Sequence, residues 1–260
     1  MKRSSGVRVA ATVAVSALSL ALVTGCGGGS DDSKGSDGQT AKALSAAELE
    51  KAVIAQGDVT GYKVDSGAKQ LPKSKDEVKS GDEKCAPLAY AMSGQAPGDA
   101  ASSTAAMAKQ EKKKPTADPS KSLEDLSEGE FEDAFTDAMD LNMTVVGLSS
   151  YDGDGAEETF KSVSDAVKNC SGGFPVTMQG TDQKMTGVTA AKASGAGDES
   201  VAFNLKSDAE DGDVATTHVE VVRHGSTIAT YYTINIGLML TDKPYGVPAP
   251  VIKAQSAKLK

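Results

Sequence analysis

The sequence predicts a single α+β domain with a largely antiparallel sheet packed with helices, behind a cleaved N-terminal export signal. Five strand-like segments follow one another after residue 173 and are joined by short turns. Helical periodicity lies mainly before them and at the end of the chain, and the first 26 residues have the pattern of an export signal. Strands that are grouped together, instead of alternating with helices, favour an antiparallel sheet with helices packed on it.

A basic N-terminus precedes an apolar run. Lys2, Arg3 and Arg8 are followed by an uncharged, mostly apolar segment over residues 9–23. This run is shorter than the roughly 20 residues that cross a bilayer as a helix. Its length and flanks fit a cleaved signal, and an uncleaved membrane anchor is the alternative.

The run ends in Leu22-Val23-Thr24-Gly25-Cys26, which resembles the lipobox of bacterial lipoproteins. The resemblance covers the leader alone and implies cleavage after Gly25 and attachment of diacylglycerol to Cys26. Two acyl chains, at ~0.8 kcal/mol per buried methylene, hold a protein stably on the outer face of the cell membrane. The predicted parts are a signal at 1–25, the lipidated cysteine with a flexible Gly/Ser/Asp-rich tether at 26–43, and one domain at 44–260.

The composition of the chain argues against several classes of binding partner. The chain is 39% hydrophobic and 24% charged, which is ordinary for a globular protein. Removal of the leader takes the net charge from −9 to −12, so nucleic acid is not an expected partner. Aromatic residues make up 4% of the chain and tryptophan is absent, which argues against a base-stacking or carbohydrate-stacking platform.

The two remaining cysteines, Cys85 and Cys170, form an even pair in an oxidising compartment, and we predict a disulfide. A metal site and a reactive thiol are the alternatives. Two sulfurs without clustered histidines or a third cysteine are too few for a structural zinc site.

The helices are predicted from their ends. Ser45 and Glu48 form a capping box that opens the first helix, and Gly57 ends it. Pro87 begins a short helix that runs to about Met92. The last residues, from Pro248, form a short amphipathic helix.

A second capping box, Asp154 and Glu157, opens a helix that runs to Asn169. Its apolar residues recur at helical spacing and form one stripe that faces the core, with Cys170 on the same side. The stripe consists of Ala156, Phe160, Val163 and Val167.

The strands follow from composition and alternation. Arg223-His224-Gly225-Ser226 is typical of a hairpin turn. No strand is predicted within residues 65–84 or 94–130. Apolar residues in 124–140 fall at helical spacing, and whether the acidic segment 116–140 is ordered is an open question. The predicted strands are 62–64, 143–151, 174–178, 184–193, 200–206, 214–223 and 227–236.

No catalytic or metal-binding motif stands out. Asp152-Gly153-Asp154-Gly155 suggests a calcium loop, but Ser150 and Lys161 then stand where an aspartate and a bidentate glutamate are needed. His218 and His224 have no carboxylate at a ligand spacing and are expected to be structural or exposed. We therefore predict no enzyme activity, no metal and no cofactor.

The domain is similar to the extracellular sensor domain of PknH-type receptor kinases and to a group of actinobacterial lipoproteins. The resemblance covers roughly residues 44–259 and implies an α+β sandwich with a cleft and a role in sensing or binding at the cell envelope. This chain has one cysteine pair where the kinase sensors have more. The resemblance rests on residues 43–49, 58–64, Cys85 before Pro87-Leu88, Ser149-Ser150-Tyr151, Asn169-Cys170, Gly197-Asp198-Glu199-Ser200, residues 221–228, and Pro248 through Gln255 to Leu259.

Two functions are carried forward. The first is a membrane-anchored ligand-binding or sensor-like module, with an unknown small envelope molecule or protein as its ligand, and it predicts an apolar-lined cleft between helix 154–169 and the sheet. The second is a structural or protein-interaction lipoprotein of an envelope complex, which an exposed apolar patch would favour. An envelope hydrolase that uses two close carboxylates is a weaker third.

Overall fold

The computed structural model describes residues 41–67, 69–112, 127, 129, 136, 138–209, 212–241 and 243–259. Within these residues the chain forms nine strands and four α-helices, with two short 3-10 helices at Lys75–Glu77 and Glu83–Cys85. The strands are β1 Tyr62–Asp65, β2 Val78–Ser80, β3 Ser102–Gln110, β4 Asn142–Ser150, β5 Phe174–Met178, β6 Thr181–Ala191, β7 Glu199–Asp208, β8 Val214–His224 and β9 Thr227–Asn235. The helices are α1 Ala46–Ala52, α2 Ala86–Ser93, α3 Gly155–Asn169 and α4 Ala249–Lys258.

All nine strands belong to one sheet in the order β1-β3-β4-β9-β8-β7-β6-β5-β2. Every neighbouring pair is antiparallel. The predicted α+β class with an antiparallel sheet is therefore confirmed. The run from β5 to β9 is built from hairpins between consecutive strands, as the grouped strand segments of the sequence indicate.

Helices cover both faces of the sheet. On one face, which we call the α3 face, buried residues of α2 and α3 pack against alternate sheet residues such as Phe203 and Val219. On the other, the α4 face, α1 and α4 pack against a second set that includes Val146 and Tyr231. Because successive strand residues point to opposite faces, a covered sheet must have two buried residue sets on each central strand.

Most predicted elements are confirmed, but β2 and β3 were missed. β3 consists of Ser, Thr, Ala, Met, Lys and Gln and has no valine or isoleucine. Its strand conformation comes from pairing with β1 and β4, which local propensity does not report. Lys112 lies two residues beyond the end of β3 and is exposed.

Helix α1 starts as predicted and ends early. The side chain of Glu48 accepts hydrogen bonds from the backbone N–H (2.9 Å) and hydroxyl (2.6 Å) of Ser45. The predicted end at Gly57 is wrong, since the helix stops at Ala52. There the buried Gln255 of α4 accepts a hydrogen bond from the N–H of Ile54 (2.9 Å) and donates one to the carbonyl of Ala52 (2.8 Å). A side chain distant in sequence thus satisfies backbone groups that another helical turn would have used.

Helix α3 has its predicted bounds, and its stripe of Ala156, Phe160, Val163 and Val167 is buried. Its predicted capping box is wrong, because the side chain of Asp154 makes no cap hydrogen bond. Most of the predicted acidic helix at 124–140 lies outside the described residues.

Candidate functional site

The chain enters the domain at one end of the sheet. The N–H of Gly153 donates to the carbonyl of Ala41 (2.7 Å), and the N–H of Leu44 donates to the hydroxyl of Ser150 (2.9 Å). The hydroxyl of Ser102 in turn donates to the carbonyl of Leu44 (2.6 Å). We call this end of the sheet the entry end. The signal and the predicted lipid site Cys26 lie outside the described residues, and none of the helices within them is long and apolar enough to cross a membrane.

Cys85 and Cys170 are joined by a disulfide, which supports the predicted pairing. The bond connects the start of α2 to the end of α3, and each cysteine is 2% exposed. The bridge is therefore part of the core on the α3 face. Its position is structural, since neither sulfur is presented to solvent.

The predicted cleft between α3 and the sheet is filled by side chains. Phe160 and Val163 of α3 belong to the same buried cluster as Val188, Phe203 and Leu205 of the sheet. Two surface concavities lie elsewhere and are lined mainly by charged and polar residues. One, of about 530 Å³, lies beside the β5–β6 turn, and the other, of about 390 Å³, lies on the outer side of α3.

A row of polar side chains crosses the α4 face at the end of the sheet opposite the entry end. Asn204 of β7 pairs with His218 of β8, which pairs with Thr233 of β9, which pairs with Thr144 of β4. These four lie on the α4 face because they are an even number of strand residues from buried members of that core, such as Val222 and Tyr231. Beside this row lie Asn235, Asn142 and Gln110, and we call the seven residues the polar strip.

The polar strip is held together by its own hydrogen bonds. The hydroxyls of Thr144 and Thr233, both fully buried, are 2.9 Å apart. The side-chain NH2 of Asn235 donates to the side-chain oxygen of Asn142 (3.1 Å). The side-chain NH2 of Asn142 in turn donates to the side-chain oxygen of Gln110 (3.0 Å). Polar side chains in such a place cost stability unless they bond to one another, so the network fixes the orientation of each group.

His218 is the titratable member of the strip. Its Nδ1 is 2.7 Å from the amide oxygen of Asn204, and because that oxygen is an acceptor, Nδ1 carries the proton. Burial lowers the pKa of His218, which favours the neutral ring with Nε2 as a hydrogen-bond acceptor. The ring of Tyr245 packs edge-on against His218 at 4.2 Å between centroids.

We call residues 236–247, the segment after β9, the strap, and its described residues lie beside the strip. The N–H of Leu238 donates to the side chain of Asn235 (3.2 Å), and the N–H of Thr216 donates to the carbonyl of Met239 (2.9 Å). The hydroxyl of Tyr245 donates to the carbonyl of Thr216. Hydrogen bonds thus join the described part of the strap to the strip and to the first residues of β8.

Three large apolar side chains are exposed at the same end. Val214 begins β8, Ile236 follows β9, and Leu240 follows Met239 in the strap. Their exposed fractions are 47%, 47% and 48%. We call these three residues the apolar trio.

The second histidine lies at the entry end. His224 ends β8, and its Nε2 is 3.3 Å from the hydroxyl of Ser256 in α4. Burial lowers its pKa, while the charge of Asp198 opposes that shift. The structure therefore keeps the two histidines apart, and the described residues contain no group of three or more His, Cys, Asp or Glu side chains that could hold a metal.

The two histidines give folding a pH dependence. Burial lowers both pKa values below the ordinary value of about 6.5, so the unfolded chain takes up protons that the folded one does not. The free energy of unfolding should therefore fall as the pH drops from 7.5 through 6.5 towards the folded pKa values. We expect His218→Gln and His224→Gln each to remove part of this fall in urea unfolding between pH 7.5 and 5.5. An unchanged slope in both variants would contradict it.

No protein-family model and no curated protein matches the chain. Among solved structures, it is similar to the extracellular domain of PknH from Mycobacterium tuberculosis. The TM-score is 0.47 at 12% identity, and the match covers 84% of this chain and 95% of that one. That is the kind of sensor domain the sequence resembles, but a likeness this distant assigns no ligand to this chain.

Proposed function

We propose that the protein is a lipid-anchored binding module on the outer face of the cell membrane, and that the polar strip is its recognition surface. The observation that supports a binding role is the strip itself. The packed core of the α4 face is mainly apolar, and the strip places four amide side chains and a neutral histidine together on that face. A few convergent polar groups beside an apolar surface are typical of ligand sites.

The position of the strip suits a tethered protein. β3 runs from Ser102, which bonds the entering chain, to Gln110, which belongs to the strip. Nine strand residues span about 27 Å. A lipid on Cys26 would hold the chain by its entry end, and the strip lies at the far end of the same sheet.

The groups of the strip indicate the ligand chemistry. His218 offers an acceptor at Nε2, and the amides of Asn204 and Gln110 offer further hydrogen-bonding groups. With a net charge of −12 after loss of the leader, the mature chain repels anions at long range. We therefore infer an uncharged or cationic ligand with hydroxyl or amide groups.

Native mass spectrometry of the full chain, exported and purified gently from membranes, tests both parts of the proposal. We expect a lipid mass that disappears in Cys26→Ala, and a second, non-covalent mass that disappears on denaturation. The second mass should be lost in His218→Gln. It should remain in His224→Gln, a matched control at the entry end. An adduct that His218→Gln leaves unchanged would overturn the assignment of the strip.

The apolar trio favours a second function, a protein-interaction lipoprotein of an envelope complex. Exposed apolar side chains next to polar groups are typical of protein interfaces. In the same experiment, a chain that carries lipid but no small-molecule adduct would favour this function. A photo-crosslinker at Leu240 should then capture one discrete partner that the same group at the exposed Gln183 does not capture.

A further inference from the structure

The ladder between β8 and β9 stops before either strand does. Its last pair at the end of the sheet that carries the polar strip is His218 with Thr233. β8 nevertheless continues back to Val214 beside β7, and β9 continues to Asn235 beside β4. Two residues past the last pair, Thr216 and Asn235 would face each other in the same register. The two strands therefore form a fork at this end of the sheet.

The strap bonds the backbone groups on both arms of the fork. The N–H of Thr216 donates to the carbonyl of Met239 (2.9 Å), and the carbonyl of Thr216 accepts from the hydroxyl of Tyr245. The carbonyl of Asn235 accepts from the N–H of Met239 (2.7 Å) and from that of Leu238 (3.1 Å). The strap thus uses backbone groups of Thr216 and Asn235 that would pair with each other if the ladder continued.

Tyr245 is the strap residue whose side chain reaches the fork. Burial raises the pKa of its hydroxyl, and a backbone hydrogen bond from Asn235 opposes that shift. The hydroxyl therefore contacts both arms, Thr216 of β8 and Asn235 of β9. The ring packs edge-on against His218, so the side chain that fills the fork also lies against the titratable member of the strip.

The strand ends can bond either the strap or each other. If the strap leaves, the N–H of Thr216 and that of Asn235 can each donate to the carbonyl of the other residue, so ladder bonds replace the bonds to the strap. The strap groups released in this way lie near the surface, since Leu240 is 48% exposed and a Cβ on Gly246 would meet no atom within 4 Å. Exchange of one hydrogen bond for another costs far less than leaving buried groups unpaired.

We propose that the strap is a gate on the His218 side of the polar strip, and that it opens when Thr216 and Asn235 pair with each other in its place. The inference rests on the proposed function, in which the strip is the recognition surface, and it adds the regulation of that surface. In the closed arrangement the ring of Tyr245 covers one side of His218. In the open arrangement the imidazole is uncovered, so a ligand that binds His218 shifts the population towards the open state.

Tyr245→Phe in the full chain tests the gate. The substitution removes the hydrogen bond to the carbonyl of Thr216 but keeps the ring, so a change at His218 reports opening and not the loss of cover. We expect His218 to react with diethylpyrocarbonate about fivefold faster, the change in an equilibrium that loss of one typical hydrogen bond produces. His224, at the entry end, should react at the wild-type rate. Tyr90→Phe, on the α3 face, is the control and should change neither rate.

Amide exchange followed by NMR separates gating from fraying of the strand ends. If the strands close the fork, the amides of Leu238 and Met239 should exchange faster in Tyr245→Phe, while those of Thr216 and Asn235 keep their protection. Loss of protection at all four amides would overturn the inference, as would an unchanged rate of histidine modification. Neither measurement uses a ligand, so a failure of the gate is distinct from a failure of the adduct test of the recognition surface.

Discussion

Replacement of both Cys85 and Cys170 by alanine is expected to lower the free energy of unfolding by about 4–5 kcal/mol. The disulfide joins residues 85 positions apart, so it removes a large amount of loop entropy from the unfolded chain. The double substitution should also weaken packing in the folded domain, because the disulfide joins α2 to α3 inside the core of the α3 face. Urea unfolding of the chain from residue 41 measures the effect.

The wild-type protein with and without reductant is the control for this variant. Reduction in urea removes the cross-link but keeps both sulfur atoms, so it separates the loss of the bond from the loss of core volume. We expect reduction of the wild-type protein to lower the free energy of unfolding by most of the amount that the double substitution does. Both cysteines are 2% exposed, and the folded protein should therefore resist reduction until it opens. Equal urea midpoints in oxidised and reduced protein would contradict the prediction.

The antiparallel sheet could be predicted because its later strands carry their own local evidence. β8 and β9 are rich in valine, threonine and tyrosine, and Gly225 lies in the turn between them with a φ of 56°. The apolar spacing in α3 likewise predicted its buried face, and from it the proximity of Cys170 to Cys85 was predicted correctly. These features depend on residues close together in sequence, so they do not require knowledge of the neighbours.

β3 and the end of α1 could not be predicted from local sequence, because both depend on residues that are distant along the chain. β3 is a strand because β1 and β4 lie on either side of it, and its small side chains leave room for close packing. Helix α1 ends because of Gln255, about 200 residues away. The sequence of residues 45–57 alone therefore does not predict where α1 ends.

The candidate site was missed for a related reason. Alternation in Thr217-His218-Val219-Glu220-Val221 predicts one buried face and leaves the other to solvent. In the structure the valines face α3, and the polar residues between them face α4, where Glu220 is 4% exposed. Alternation gives the period of a strand but not what covers each face. The signal that was available is the run of Thr, Asn and His on neighbouring strands, which becomes a strip once the register is known.

Gln255→Leu is expected to lower the free energy of unfolding by about 2–5 kcal/mol. The substitution keeps most of the side-chain volume in the core but removes both hydrogen bonds to the end of α1. The N–H of Ile54 would then be buried without a partner, at about 1–3 kcal/mol, and the part-buried carbonyl of Ala52 would lose its partner as well. Urea unfolding measures the loss.

Gln183→Leu is the matched control, since Gln183 lies exposed on β6 and the same substitution there should change stability by less than about 0.5 kcal/mol. Hydrogen exchange separates the two explanations of a loss in Gln255→Leu. If Gln255 fastens α1 to α4, the amides of residues 49–54 should exchange faster while those of β8 and β9 keep their protection. A uniform loss of protection would mean instead that the substitution weakens the whole core, and an unchanged midpoint would mean that water satisfies the two backbone groups when the side chain does not.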